Sequence, residues 1–148
     1  MSTLKVDTYL TRGGVSEIAI DKLKGVTAAG SMLVVGEGGT NTTNLQQGLA
    51  KCWMQQSSGT TINGSFNCSG LTDNGTGDYT TSFTNDMAND DYACQCTGAD
   101  ANTNASISTL VMNTVGYAAG SARMYLLNDD SGAVDGAPNS ITVNGDLA

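Results

Sequence analysis

The chain has 148 residues, the length of a single domain, and it is rich in small polar residues and glycine, with 19 Gly, 19 Thr, 13 Asn and 13 Ser. Only 14% of the residues are charged and strong helix formers are scarce, so a charged disordered chain and a helical bundle are both excluded. Histidine is absent, which excludes imidazole bases and histidine metal ligands, and the net charge of −8 argues against nucleic acid as a partner.

The N-terminal part, residues 1–45, is predicted to be an attachment or stalk segment that includes a Gly-rich linker. Apolar and polar residues alternate over 3–10 and resume over 15–20, which predicts two short strands around the Gly13-Gly14 pair. Strands this short cannot bury their own apolar faces, so they need cover from the rest of the chain, a partner or copies of themselves. The residues expected at this contact are Leu4, Val6, Leu10, Ile18 and Ile20.

Residues 25–44 are predicted to be a largely loop-like linker, rich in Gly, Thr and Asn. One short strand is expected over 31–35 within the linker, and a helical turn is expected to start at Asn44. Leu45 and Leu49 are four residues apart, as on one side of a helix, although Gly48 weakens this turn. The turn is expected to lead into a strand at 52–56.

Residues 46–148 are predicted to form a globular all-β domain, an antiparallel β-sandwich or a barrel-like domain, because short strands alternate with polar turns. Asn74-Gly75 is a strong hairpin signal, since both residues tolerate positive φ. Residues 52–148 carry a net charge of −9, with Arg123 as their one base, while residues 1–51 carry +1. The predicted strands after residue 60 cover 65–71, 79–84, 92–97, 105–113, 123–128 and 140–144.

The four cysteines are expected to be reduced, because the start of the chain has no stretch of signal-peptide length and no apolar run reaches the length of a membrane span. Cys94 and Cys96 could supply half of a metal site, but their spacing in a strand separates the sulfur atoms by about 7 Å. We favour buried thiols that pack as small apolar groups. The lone tryptophan, Trp53, could stack on a sugar ring, but its neighbours Cys52 and Met54 favour a core position. The residues predicted to lie in the core are Trp53, Phe66, Cys68, Phe83, Tyr92 and Cys94.

The acidic turns carry the residues predicted to be exposed and available for binding, which are Asp73, Asn74, Asp78, Asp129 and Asp130. The turn at 73–78 offers carboxylate and amide oxygens at short spacing, as a calcium loop does, but it lacks the late bidentate Glu, so a plain turn is favoured. Adjacent Asp pairs do not face each other across a cleft as an acid and a base must. The sequence therefore predicts no catalytic residue, metal ligand or cofactor, and a protein that is not an enzyme.

Several motifs occur in a recognisable order. They are STLKVDT at 2–8, GLAKCW at 48–53, INGSFNC at 62–68, TDNGTGDYT at 72–80 and DDY at 90–92. Together they resemble the tail-fibre-like proteins of marine and cyanobacterial tailed phages, over about residues 2–20 and 36–97. Cys52, Cys68 and Cys94 depart from the family, which usually has Ala or Val at these positions.

The resemblance implies a virion structural protein that is assembled in the host cytoplasm as a homotrimer, with a slender stalk and a globular β-domain. The apolar residues of 3–20 would then form a core shared by three chains. A tail-fibre-like appendage would contact other virion proteins of the tail, portal vertex or capsid, and would bind a host surface glycan or protein without inserting into a membrane. The alternative is a capsid decoration, cement or head-fibre protein, which the short chain favours. A polysaccharide-cleaving enzyme is the third and least favoured hypothesis.

Overall fold

The computed structural model describes residues 21–23, 32–37, 39–100, 109–127 and 132–148. The strands predicted over 3–10 and 15–20 lie outside these residues. The predicted oligomer contact at Leu4, Val6, Leu10, Ile18 and Ile20 therefore also lies outside the described residues. The same is true of Asp129 and Asp130, which were expected to be exposed for binding.

Strands account for most of the described chain, as its many Thr and tight-turn residues indicate. One helical turn, α1 (Leu45–Gly48), precedes the main strands, and Asn44 caps it by accepting a hydrogen bond from the Gln47 backbone N–H at 3.0 Å. The strands in chain order are β1 (Leu33–Val35), β2 (Thr42–Asn44), β3 (Ala50–Ser58), β4 (Thr61–Phe66), β5 (Cys68–Gly75), β6 (Asp78–Phe83), β7 (Ala93–Asp100), β8 (Thr109–Ala118), β9 (Ser121–Leu127) and β10 (Gly136–Asn144).

Two antiparallel four-stranded sheets pack together in the described chain, so the predicted all-β, sandwich-like fold is confirmed. Sheet I has the strand order β4-β3-β10-β7, and sheet II has the order β5-β6-β9-β8. The short strands β1 and β2 pair separately as a small hairpin, in which Leu33, Val34 and Val35 are each at least half exposed. The two main sheets begin at Ala50, close to the domain boundary predicted at residue 46.

The core lies between the sheets and is built from strands in which buried and exposed positions alternate. In β9, for example, Ala122, Met124 and Leu126 are buried and the residues between them are partly exposed. Full burial of a large apolar side chain stabilises a fold by about 1.5–3 kcal/mol. The main cluster takes residues from both sheets, namely Cys52, Met54, Tyr79, Phe83, Met87, Ala122, Met124, Ile141 and Val143.

The six side chains predicted to lie in the core divide into three groups. Phe83 is buried in the main cluster. Three more are partly buried and pack against it: Cys68, Tyr92 and Cys94. Trp53 and Phe66 are exposed, so the prediction that they lie in the core is wrong. Trp53 stands on the outer side of sheet I because its neighbours Cys52 and Met54 fill the inward positions, and Phe66 lies opposite it on β4.

The chain passes from sheet I to sheet II at Asn67, which separates β4 from β5. Asn67 has a φ of 54°, in the left-handed region that Asn tolerates better than most residues. The single strand predicted over 65–71 is therefore wrong, since this stretch contains a corner between two strands of different sheets.

β5 and β6 form the predicted hairpin, but its turn lies two residues beyond Asn74-Gly75. Gly75 pairs with Asp78, which leaves Thr76 and Gly77 as the loop. Gly77 has a φ of 68°, and a Cβ added there would lie 2.5 Å from the Leu126 carbonyl oxygen. Glycine is required at this position because the β9 backbone approaches so closely.

β10 lies in the middle of sheet I, antiparallel to both β3 and β7. The residues after it return to the segment that follows β6. The Ala88 N–H donates to the Asp146 carbonyl at 2.8 Å, and the Ala148 N–H donates to the Asp86 carbonyl at 3.0 Å. The predicted strand at 140–144 is therefore a longer, central strand.

Candidate functional site

Sheet I carries two large aromatic side chains on its outer face, directly opposite each other on neighbouring strands. Trp53 of β3 pairs with Phe66 of β4, and these residues are 44% and 52% exposed. Cys52 and Met54 flank Trp53 and belong to the core, so the alternation along β3 turns Trp53 outward. That alternation was the signal in the sequence: apolar residues on both sides of a strand residue place it on the opposite face.

Two rows of residues cross the four strands of this surface, which we call the outer face of sheet I. The strand register defines both rows. The first row contains Phe66, Trp53, Thr142 and Gln95, from β4, β3, β10 and β7. The second row contains Gly64, Gln55, Ser140 and Thr97 from the same strands. Apart from Trp53 and Phe66, none of these residues could be recognised from the sequence, because they come together only through the pairing of distant strands.

Hydrogen bonds order the polar side chains of the second row. Asn63 is the extra residue of a bulge in β4, and its amide donates to the Gln55 side-chain oxygen at 3.4 Å. The hydroxyl groups of Thr97 and Ser140 are hydrogen-bonded at 2.6 Å. Amides and hydroxyls each have more than one donor or acceptor position, so these groups keep hydrogen-bonding capacity for a ligand.

A groove of about 430 Å³ lies on the part of this face formed by β4, β3 and β10. Its lining on the outer face is Trp53, Gln55, Asn63, Gly64, Ser140 and Thr142. The indole leans across β4 toward Gly64, since a Cβ added to this glycine would lie 3.5 Å and 3.6 Å from ring atoms Cζ3 and Cη2. The tryptophan ring therefore lies beside the strand at ordinary van der Waals distance from the Gly64 backbone.

The two rows carry no formal charge. The nearest charged residue on β3 is Lys51, which is only 7% exposed. Its ammonium group donates to the backbone carbonyls of Gln46 and Leu49, the latter at 2.7 Å, and burial lowers its pKa. The charge of Lys51 is thus directed toward the α1 segment, and the outer face of sheet I is a neutral aromatic and hydrogen-bonding surface.

Asp78, predicted to be an exposed binding residue, is buried instead, so that prediction is wrong. Only 6% of the residue is exposed, because Arg123 of the neighbouring strand β9 covers its carboxylate. Arg123 donates through Nε to Oδ1 at 2.7 Å and through Nη2 to Oδ2, and Nη2 also donates to the Tyr125 hydroxyl at 2.8 Å. These hydrogen bonds from Arg123 lower the pKa of Asp78.

The turn at 73–78 is held by residues outside it. Asp135 accepts hydrogen bonds from the Gly77 N–H at 2.8 Å and from the Tyr79 hydroxyl at 3.1 Å. Asp73 and Asn74 are exposed, as predicted, and Asp73 accepts a hydrogen bond from the Gly75 N–H at 2.9 Å. The Asp73 carboxylate thus stabilises the turn from within and Asp135 stabilises it from outside, as expected of a plain turn.

The four cysteines are free thiols, and the structure places them in or against the core. Burial, together with the smaller electrostatic effects of nearby Cys68 and Cys94, raises the pKa of Cys52 to about 12. A hydrogen bond with Cys96 raises the pKa of Cys94, so these two sulfur atoms lie closer together than the separation predicted from strand spacing. Thiols protonated in this way are poor nucleophiles and poor metal ligands. Among the described residues, no group of three or more acidic or cysteine side chains could hold a metal ion.

Within the described ranges, no helix is long and apolar enough to cross a membrane. The chain matches no protein-family model, no curated protein and no solved structure. The chemistry of the outer face of sheet I is therefore the basis for a functional proposal. It offers an exposed indole, a second aromatic ring, and ordered amide and hydroxyl groups.

Proposed function

We propose that this protein is a binding module of a phage virion, a tail-fibre-like appendage that attaches to the host surface. The observation that supports binding is the exposed Trp53–Phe66 pair within a neutral, hydrogen-bonding sheet face. Two large aromatic residues side by side at a surface are typical of recognition sites. The rows contain no carboxylate, thiol or imidazole that could act as acid, base or nucleophile, so this face is suited to binding rather than to catalysis.

The placement in a virion is supported by the motif order of the sequence, from STLKVDT at 2–8 to DDY at 90–92. The proposed assembly is a homotrimer in which the apolar residues of the first twenty positions form a shared core. The β-sandwich would serve as the rigid scaffold that carries the binding face. Other virion proteins hold the attachment segment.

Two measurements on purified particles test this proposal. Quantitative mass spectrometry counts copies of the chain relative to the major capsid protein, and we expect a few to a few tens of copies, as for a tail or vertex appendage. Hundreds of copies would instead support the capsid decoration protein, and no copies would overturn a virion role. In the second measurement, an excess of the soluble protein should block adsorption of particles to host cells, and undiminished adsorption would contradict a role in attachment.

A further inference from the structure

We propose that the outer face of sheet I binds an uncharged polysaccharide, with Trp53 as the platform on which one sugar ring stacks. This inference deepens the proposed function and rests on it. It names the ligand class and the residues that recognise it, neither of which follows from a general role in attachment.

The aromatic part of the site suits the apolar face of a sugar ring. A partly exposed indole offers a flat, apolar surface to a ligand while its N–H stays available at the edge. Trp53 leans over Gly64 and is thereby supported on the sheet, which limits the rotamer freedom that ligand binding would otherwise have to remove. Phe66 extends the aromatic surface on the side of β4.

The polar part of the site suits sugar hydroxyls. Each hydroxyl of a neutral sugar both donates and accepts hydrogen bonds, and side-chain amides and hydroxyls do the same. Gln55 and Asn63 are already ordered by their mutual hydrogen bond, and Ser140 and Thr97 by theirs. Few side chains on this face therefore need to be ordered when a ligand binds, which reduces the entropic cost of binding.

The charge of the domain selects against acidic saccharides. Carboxylate and sulfate groups on a ligand are best bound by Arg or Lys, and the two rows of the outer face contain neither. Residues 52–148 carry a net charge of −9, whose field repels anions from the surface. The same neutrality distinguishes the site from a face that binds phosphate groups.

The geometry of the rows indicates a ligand longer than one sugar. From Trp53 on β3 to Gln95 on β7 the first row crosses β10, a span of two strand spacings or about 10 Å. A saccharide that lies across the strands would stack on Trp53 at one end and reach the amide of Gln95 at the other. We expect oligosaccharides to bind more tightly than the corresponding monosaccharides for this reason.

Intrinsic fluorescence tests the site directly, because Trp53 is the single tryptophan of the chain. The full-length protein is titrated with neutral oligosaccharides of glucose, galactose or mannose units and, separately, with oligosaccharides of uronic acid units. We expect saturable changes in Trp53 emission with a neutral series and none with the acidic series. A response to the acidic series alone, or to neither, would overturn the proposal.

Two variants show whether binding depends on this face. Trp53→Ala, measured by calorimetry because it lacks the fluorophore, is expected to weaken binding of the neutral oligosaccharide at least tenfold. The matched control is Leu49→Ala, which removes another exposed apolar side chain, 56% exposed, that lies outside the rows. Circular dichroism checks that both variants are folded, and Gln55→Ala provides a milder second variant. Equal affinity of Trp53→Ala, Gln55→Ala and wild type would contradict the proposal.

The outcomes separate this inference from the proposed function. If the soluble protein blocks adsorption but no neutral oligosaccharide binds, the saccharide site is wrong and the attachment role stands. If oligosaccharides bind through Trp53 but purified particles lack the chain, the virion role is wrong and the saccharide site stands. A second copy of the chain on this face, seen as a dimer that Trp53→Ala dissociates in analytical ultracentrifugation, would overturn the saccharide site.

Discussion

The side-chain oxygen of Asn67 accepts two hydrogen bonds from Asn85, one from its backbone N–H at 2.7 Å and one from its side-chain amide at 3.1 Å. The Asn67 amide in turn donates to the carbonyls of Lys51 at 2.9 Å and Asn85 at 3.0 Å. One side chain thus joins β3 of sheet I, the corner between the sheets and the segment after β6. Asn67 contributes both the left-handed backbone of the corner and its hydrogen bonds.

Replacement of Asn67 separates these two contributions. Asn67→Ala is expected to lower the free energy of unfolding by about 2–4 kcal/mol, because it loses the hydrogen bonds and puts Ala in a left-handed conformation. Asn67→Gly loses the same hydrogen bonds but tolerates the backbone, so it should be about 1 kcal/mol more stable than Asn67→Ala. Urea denaturation of both variants measures the difference. Equal stabilities would mean that backbone strain plays no part at the corner.

Gly77→Ala is expected to destabilise the protein by about 3 kcal/mol or more, through left-handed strain and a clash with backbone. An added Cβ would meet the Leu126 carbonyl oxygen at 2.5 Å and the Val134 backbone at 2.9 Å. Gly59→Ala is the matched control, since Gly59 also has a positive φ, 51°, but has nothing within 4 Å of an added Cβ. Gly59→Ala should lower the free energy of unfolding by about 1–2 kcal/mol. Thermal unfolding measures the loss of stability in each variant. Similar losses would contradict the close approach of the Leu126 and Val134 backbone to Gly77.

The Asp78–Arg123 pair should make stability depend on acid pH. Arg123 lowers the pKa of Asp78 in the folded state, so the pair's contribution is complete above the unfolded pKa of about 3.9 and is lost as pH falls through the folded pKa. Asp78→Asn should therefore be less stable than wild type at pH 7, and the deficit should shrink below about pH 4. Asp91→Asn, an exposed control, should show no comparable deficit. A deficit that persists unchanged to the lowest pH would contradict the role of the ion pair.

Tyr92 should make stability depend on alkaline pH, and its contribution should be lost as pH rises. Its hydroxyl donates to the Ser121 carbonyl at 2.7 Å and the Ala118 carbonyl at 3.2 Å, and burial raises its pKa to about 12. At neutral pH, the free energy of unfolding of the wild type should exceed that of Tyr92→Phe by about 0.5–1.5 kcal/mol. That advantage should decline above the unfolded pKa of about 10 and disappear by pH 12, because the unfolded tyrosine loses its proton first. Urea denaturation of wild type and Tyr92→Phe between pH 7 and about pH 12 tests this prediction. A stability difference that does not change over this range would contradict it.

The sequence predicted those parts of the fold that depend on local pattern. The alternation along β9 and the turn chemistry of the β5–β6 hairpin both depend on neighbouring residues, so the strands and the hairpin were found. The corner at Asn67 was missed because INGSFNC has no proline or double glycine to mark a break. The position of the turn was missed because Gly77 is required by the approach of β9 and Val134, which are distant in sequence.

The candidate site was less predictable, because its rows join strands from both halves of the domain. Trp53 was assigned to the core from the character of its neighbours, whereas on a strand apolar neighbours place a residue on the opposite side. Asp78 was assigned to a solvated turn because nothing local indicates that Arg123 covers it. Gln95, Ser140 and Thr142 carry no distinguishing signal of their own, and only the pairing of β10 with β3 and β7 brings them beside Trp53.

A ribosome makes β10 last among the strands of the described chain, yet β3 and β7 both pair with it. During synthesis, Cys52 and Met54 lack some of their core neighbours until Ile141 and Val143 have been made. Contacts between such distant segments form slowly. Nascent chains that stop before residue 136 lack β10 and leave the edges of β3 and β7 that face it unpaired, so we expect them to aggregate more readily than the full-length chain.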